Sequence, residues 1–140
     1  MQDHVSHLLD YLRAEGYPAE LDGDGDIRFK REGKTYALCF DAHDPNFARL
    51  LLPSVWDIDS ERERQQVLAA LDEVNRRIKL VKAHTLGDSV WFSVEFLFDE
   101  QAAWEHHLSR AARAIMRAVM LFADAMQGAR AAGEASPTLN

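Results

Sequence analysis

The stretch LDGDGDIRFKREGKT, residues 21 to 35, contains three alternating aspartates and a Gly-Lys-Thr. The first pattern is typical of a calcium loop and the second of a phosphate loop. An EF-hand loop that begins at Asp22 needs glycine at its sixth position and glutamate at its twelfth, where the sequence has Ile27 and Gly33. A phosphate loop needs a glycine where Arg28 stands, and a helix after the Gly-Lys-Thr. We therefore interpret the stretch as a tight Asp/Gly turn leading into a strand, followed by a hairpin turn at Gly33.

Histidine pairs are the next candidates for metal ligands. His4 and His7 share one face of a predicted helix, and His106 and His107 are neighbours on another. Adjacent helical residues point about 100° apart, so the second pair does not readily hold one ion. Neither pair has the i, i+4 spacing with an intervening glutamate that a zinc helix shows. We interpret these histidines as solvent-exposed, and we predict no metal site and no cofactor.

Nucleophilic catalysis has no sequence signature in this chain. The single cysteine, Cys39, lies in a strand pattern, where a buried and unreactive thiol is the common case. No serine stands in a Gly-x-Ser-x-Gly context. A lone cysteine also excludes an internal disulfide, which agrees with a reducing compartment. We predict that the protein is not an enzyme.

Composition and charge limit the partners. The 140 residues are 47% hydrophobic and 28% charged, as in a globular protein of one domain. The net charge of -7 arises from residues 1 to 75, which carry 16 acidic and 8 basic side chains. Phosphate backbones repel such a chain, so we predict no nucleic-acid partner. No apolar run has the length of a membrane span and the first residues lack a basic signal region, so we expect a cytoplasmic protein without membrane contact.

The periodicity of apolar residues predicts the elements that position these side chains. Helical spacing predicts a first helix at about residues 2 to 15, a middle helix after a capping box at Ser60 and Glu63, and a last helix from Trp104 to Met126. Alternation predicts a hairpin within residues 27 to 40, a strand at 46 to 56, and strands at 80 to 86 and 90 to 98.

The resulting order α-β-β-β-α-β-β-α favours an α+β fold with helices packed on an antiparallel sheet. Pro53 predicts the end of its strand or a sheet edge. We assign residues 1 to 128 to one domain and 129 to 140 to a flexible C-terminal tail.

The strands contain more apolar residues than one covered sheet face needs. In the last strand Val90, Phe92, Val94, Phe96 and Phe98 line one face, which leaves Trp91 and Leu97 on the other. In the strand at 46 to 56, Leu51 likewise lies on the opposite face from its neighbours Leu50 and Leu52. Either helices cover both faces, or one apolar face binds a partner. We therefore predict that Leu51, Trp91 and Leu97 bind another protein or a second copy of this chain.

The stretch RRIKLVK contains Arg76, Arg77, Lys79 and Lys82. Cations are favoured near a helix C-terminus, and this explains them without a ligand. The alternative is an anion-binding patch formed by Lys79, Lys82 and His84.

The turn DGDGDIRF and the segment LDEVNRRIKLVKAHTLGDSVWFSVEFLF, followed by a long amphipathic helix, resemble the YbjN-type domain. That family is often labelled a bacterial sensory transduction regulator. Its fold is similar to that of class I chaperones of type III secretion, which are small, acidic, dimeric and without enzymatic activity. The resemblance implies a bacterial cytoplasmic binding protein and supplies no catalytic residues. By the same analogy, the middle helix and residues 80 to 86 are candidates for a homodimer interface.

We therefore expect a noncatalytic, chaperone-like regulatory module that binds a protein segment on apolar surface and forms a homodimer. One alternative is a ligand-responsive regulator that holds a small anion at Lys79, Lys82 and His84. Another is a dedicated type III secretion chaperone.

Overall fold

The computed structural model describes residues 2–97 and 104–135, which form three helices and one six-stranded antiparallel sheet. The predicted α+β fold and the predicted order of elements are confirmed, and the structure adds a short first strand, β1. In chain order the elements are α1 Gln2–Ala14, β1 Ala19–Leu21, β2 Ile27–Arg31, β3 Lys34–Asp41, β4 Asp44–Asp57, α2 Glu61–Arg77, β5 Val81–Leu86, β6 Ser89–Leu97 and α3 Trp104–Ala135.

The strands lie side by side in the order β1-β2-β3-β4-β6-β5. Strand β4 therefore lies inside the sheet, and β1 and β5 form its two edges. The turn between β2 and β3 consists of Glu32 and Gly33, which both have positive φ, at 52° and 77°. Two such residues give the turn type whose twist matches a hairpin. The predicted hairpin turn at Gly33 is thus present.

The core lies between one face of the sheet and the helices. Strand residues alternate between the two faces, and the buried hydrophobic members of each strand face the same side. Phe122 of α3 packs edge-on against Phe92 of β6 and against Trp56 of β4, with ring centroids 5.7 Å apart in both pairs. The fully buried side chains that share this core include Leu8, Ile27, Tyr36, Leu38, Leu50, Phe92, Ile115 and Phe122.

Pro53 corrects one prediction. It does not lie at the end of its strand, because β4 continues to Asp57. It lies beyond Leu51, where the pairing of β4 with β3 ends. The pairing of β4 with β6 shifts between Leu52 and Trp56, and Ser54 has a φ of 55° within this irregularity. A bulge leaves backbone groups unpaired, so it accepts a residue without an N–H.

The capping box joins three elements as well as starting α2. Ser60 Oγ accepts a hydrogen bond from the Glu63 N–H at 3.1 Å, as predicted. The Glu63 carboxylate then accepts from the indole N–H of Trp56 at 3.0 Å and lies 3.7 Å from the Arg130 guanidinium of α3. Arg130 also stacks over the Trp56 ring, 4.9 Å from its centroid. These contacts position the N-terminus of α2 against β4 and α3.

Helix α2 runs alongside the edge strand β5 in the opposite direction. Near its start, Arg64 bonds to the Gly87 carbonyl and pairs with Asp88 in the turn that follows β5. Near its end, the Asn75 amide donates to the Ala83 carbonyl and accepts from the Ala83 N–H, both at 2.9 Å. Asn75 therefore occupies backbone groups that would otherwise be free to pair with another strand.

Two predicted segments extend to the limits of the described residues. Phe98, which we assigned to the last strand, lies outside them. Helix α3 continues to Ala135 and so includes residues 129 to 135 of the segment for which we predict a flexible tail, whereas residues 136 to 140 lie outside the described residues.

We expect Asn75→Ala to lower the free energy of unfolding by about 2 kcal/mol, because both backbone groups of the buried Ala83 lose their partner. The change is measured by urea denaturation followed by circular dichroism. The matched control is Asp72→Ala, an exposed position of the same helix, for which a change within about 0.5 kcal/mol is expected. Equal losses in the two variants would contradict the assigned role of Asn75.

Candidate binding surface

Among the described residues, the face of the sheet opposite the core is covered by no helix. The side chains that alternate with the buried ones lie here, and most of them are exposed or partly exposed. We call this surface the open face. It is built from cross-strand rows. These are Glu20, Arg28, Ala37, Leu51, Ser93 and Lys82; Cys39, Arg49 and Glu95; Lys30 and Thr35; His84 and Trp91; Phe47 and Leu97; and Asp57, Ser89 and Leu86.

The first of these rows crosses all six strands. Its middle consists of Ala37, Leu51 and Ser93, which carry no charge. On either side of this uncharged middle stands one cation, Arg28 on β2 and Lys82 on β5. The open face therefore has a small, uncharged centre between two positive groups.

The three residues predicted to bind a partner all lie on the open face. Leu51 is partly buried between Ala37 and Ser93, and Leu97 is 82% exposed. Trp91 lies opposite His84, and its indole N–H donates to Ser89 Oγ at 3.2 Å. The structure thus places these side chains on one surface, and their role in binding stays a prediction.

Glu95 neutralises part of the positive charge on this face. Its carboxylate lies 2.6 Å from Lys82 Nζ and 3.4 Å from the Arg49 guanidinium. The hydrogen bond from Lys82 is the main reason that the pKa of Glu95 is lowered, with Arg49 contributing further. Arg49 also lies over the ring of Phe47, 5.7 Å from its centroid.

The residues of the anion-binding alternative occupy different positions. Lys82 and His84 project from β5 onto the open face, whereas Lys79 lies in the connection before β5 begins. Lys82 is bound to Glu95, and His84 Nδ1 lies 3.1 Å from the Thr85 carbonyl. In the same basic stretch, Arg76 and Arg77 both pair with Glu73 one turn earlier on α2. Several of these cations therefore have partners within the chain.

A basic depression at the β1 end of the open face was missed by sequence reasoning. It encloses about 580 Å³ and is lined by Arg13, Arg28 and Lys30 together with Glu20. The alternation of Ile27 and Phe29 with charged residues was a signal that Arg28 and Lys30 share a face. Arg13 comes from α1, and only the packing of that helix brings it here.

The aspartates of the opening stretch form the turn between β1 and β2. One carboxylate oxygen of Asp22 accepts from the backbone N–H groups of Asp24 and Asp26, at 2.9 and 3.0 Å. These bonds, led by the one from Asp26, lower the pKa of Asp22. Asp26 in turn accepts from the Phe40 N–H at 3.0 Å. The carboxylates of Asp22 and Asp26 thus accept hydrogen bonds from backbone N–H groups, as the interpretation of an Asp/Gly turn states.

The described part of the chain lacks two further features. Within residues 2–97 and 104–135, no three His, Cys, Asp or Glu side chains are grouped as a metal would require. No helix in these ranges combines the length and the apolar character needed to cross a bilayer.

Comparison with known protein families gives a match. A family model described as T3SS (YopN, CesT) and YbjN peptide-binding chaperone 1 matches residues 1–136, nearly the whole chain. Neither the curated proteins nor the solved structures give a significant match.

Cys39 provides a chemical probe of the open face, because it is the only cysteine and lies in the row with Arg49 and Glu95. Burial is the main cause that raises the pKa of its thiol to about 11, and the nearby Asp26 raises it further. The thiolate is the reactive form, so a raised pKa lowers the reactive fraction at neutral pH.

We expect iodoacetamide to alkylate Cys39 at pH 7.5 on the order of a hundredfold more slowly than it alkylates an unperturbed cysteine in a short peptide. The rate is expected to rise with pH up to about 11, because deprotonation of Cys39 continues to that pH. Mass spectrometry of timed samples measures both rates. A Cys39 that reacts as fast as the peptide at pH 7.5 would contradict the raised pKa.

Proposed function

The chain belongs to the family of T3SS (YopN, CesT) and YbjN peptide-binding chaperones, and from this we propose that it is a noncatalytic module that binds an extended segment of another protein on its open face. The family description names peptide binding, and the open face is the observation that carries the choice of site. We further propose a cytoplasmic location.

The apolar side chains of the open face support this site. Leu51, Trp91, Phe47 and Leu97 project from the side of the sheet that no described helix covers. Covering apolar surface contributes about 25 cal/mol for each Å² removed from water. A flat, pleated surface suits an extended segment because the side chains of such a segment also alternate between two sides.

The two edges of the sheet offer less to a partner than the face does. At the β5 edge, Asn75 already occupies the N–H and the carbonyl of Ala83. At the β1 edge, the Ala19 carbonyl accepts from Arg13 Nε at 3.0 Å. A segment that added itself as a seventh strand would have to displace these groups. Binding through side chains on the open face displaces neither.

We also propose that two copies associate along α2 and β5. Leu68, Leu80 and Leu86 are 50, 55 and 56% exposed and lie on α2, on the connection to β5 and at the end of β5. Leu68 lies one turn after Arg64, on the side of α2 that follows β5. Since Asn75 blocks strand pairing at Ala83, this dimer would form through leucine side chains.

The alternatives are more specific and have less support. A small-anion regulator at Lys79, Lys82 and His84 would have to compete with Glu95 for Lys82. A dedicated type III secretion chaperone needs an effector partner. The features of the open face do not distinguish an extended segment of an effector from an extended segment of another protein.

We expect Trp91→Ala to weaken the binding of an unfolded protein by tenfold or more, since truncating a central aromatic residue of an interface costs about 2 kcal/mol or more. The probe is fluorescein-labelled, reduced and carboxymethylated α-lactalbumin, and the readout is fluorescence anisotropy. The matched control is Met120→Ala on α3, which removes an exposed apolar side chain from outside the open face.

Circular dichroism melts of both variants test whether Trp91 belongs to the core instead of the binding surface. Because Trp91 is only partly buried, its loss is expected to leave the fold intact. Unfolding of the Trp91→Ala variant would place this residue in the core. Equal affinity of the two folded variants would contradict binding on the open face.

We expect the wild-type chain to have twice its 15.9 kDa mass in light scattering coupled to size exclusion, and the double variant Leu68→Glu, Leu86→Glu to have the single mass. Placing four carboxylates in a two-fold apolar interface removes its hydrophobic contribution and adds repulsion. The control is the same double change at Leu97 and Met120, which are also exposed but lie away from α2 and β5. A wild-type monomer across a dilution series would overturn the dimer.

A further inference from the structure

The open face is less acidic than the chain as a whole, and its cations are unevenly placed. Its rows contain four permanent cations, Arg28, Lys30, Arg49 and Lys82, and three carboxylates, Glu20, Asp57 and Glu95. The whole chain has a net charge of -7. Counting Asp22, whose carboxylate lies 3.5 Å from Arg28 Nε, the open face as a whole is balanced.

The incompletely paired cations lie at the β1 end, in the basic depression. Lys30 has no ion-pair partner within residues 2–97 and 104–135. Arg13 uses its Nε for the Ala19 carbonyl and forms no ion pair with a carboxylate of the described chain. Arg28 is 62% exposed despite its contact with Asp22. Three cations that are held close together and incompletely paired repel one another, and an anionic group placed among them removes that repulsion.

We infer that the segment bound on the open face is acidic, with carboxylate side chains in the basic depression and apolar side chains over Leu51 and Trp91. This inference rests on the proposed binding of an extended segment to the open face and specifies its chemistry. The charge complementarity between the basic depression and such a segment is the observation that carries it.

The positions of the cations give the spacing of the acidic groups. Arg28 on β2 and Lys82 on β5 are separated by four strand spacings, or about 19 Å at about 4.8 Å each. An extended chain covers about 3.3 Å per residue, so about six residues bridge this distance. The segment therefore has acidic groups about six residues apart, with apolar residues between them. Lys82 is the weaker of the two positions because Glu95 already pairs with it.

A polypeptide fits this face better than a nucleic acid. The uncharged middle of the first row, Ala37, Leu51 and Ser93, has no cation for successive phosphates. Single-stranded nucleic acid is bound by grooves that are positive along their whole length. Carboxylates at Asp41 and Asp57, at the ends of β3 and β4, would repel a longer polyanion.

The test uses three fluorescein-labelled peptides of about twelve residues, with one leucine- and valine-rich centre and with glutamates, glutamines or lysines on both sides. Fluorescence anisotropy measures the affinity of each for the full chain. We expect the glutamate peptide to bind about tenfold more tightly than the glutamine peptide, and the lysine peptide to bind most weakly. The preference should decrease in high salt, because exposed charges are screened.

The variant Arg28→Glu, Lys30→Glu should lose the preference for glutamate and favour the lysine peptide. The matched control is Arg110→Glu, Arg117→Glu, which makes the same change in net charge at two exposed positions of α3. We expect this control to keep the glutamate preference. Circular dichroism melts of both variants verify that each is folded.

The outcomes separate the inference from the proposed function. Equal affinities of the three peptides for the wild-type chain, with binding still lost in Trp91→Ala, overturn the acidic specificity and leave the proposed function standing. Absence of binding for all three peptides overturns both. If an oligothymidylate binds as tightly as the glutamate peptide and loses affinity in the Arg28 and Lys30 variant, the open face recognises polyanions in general and the assignment to an acidic polypeptide fails.

Discussion

The alternation of side chains along each strand is the constraint on which the rest of this structure depends. It divides the residues of the sheet between two faces, and the described helices pack on only one of them. The core can therefore use only half of the strand residues, such as Phe92 and Leu50. Their neighbours Trp91 and Leu51 necessarily project to the other side. A sheet of six strands with one covered face thus presents a second face whose composition the core does not determine.

The same sheet has two edges, and on both of them polar side chains from helices form hydrogen bonds with backbone groups of the edge strand. Asn75 satisfies the N–H and the carbonyl of Ala83 on β5, and Arg13 donates to the Ala19 carbonyl on β1. Free backbone groups at a sheet edge pair with other chains, so these contacts oppose edge-to-edge association. The open face is then the larger surface that a partner can use without breaking hydrogen bonds of the fold. This separation between closed edges and an open face explains why the proposed binding is placed on the face.

How far the sequence predicts this structure depends on how local each interaction is. The capping box at Ser60 and Glu63 and the hairpin turn at Gly33 form within a few residues, and both were predicted correctly. Strand β1 has three residues, too few for alternation to be recognised. Pro53 does not end its strand, because the bulge that accepts it depends on the pairing of β4 with β6. Local patterns are visible in a sequence, whereas pairing between distant strands is not.

Part of the candidate site was likewise predictable from local sequence patterns, and part of it depends on how distant elements pack. Leu51, Trp91 and Leu97 could be assigned to one surface from strand alternation alone, because each lies beside residues with strong core character. The basic depression could not, since Arg13 reaches it from α1 and its guanidinium is oriented by a carbonyl of β1. The uneven charge has a further consequence for the fold. A net negative charge favours solubility, and the basic depression within this acidic chain attracts acidic segments at short range. The acidic composition of the chain is therefore compatible with selective binding of acidic segments at one end of the open face.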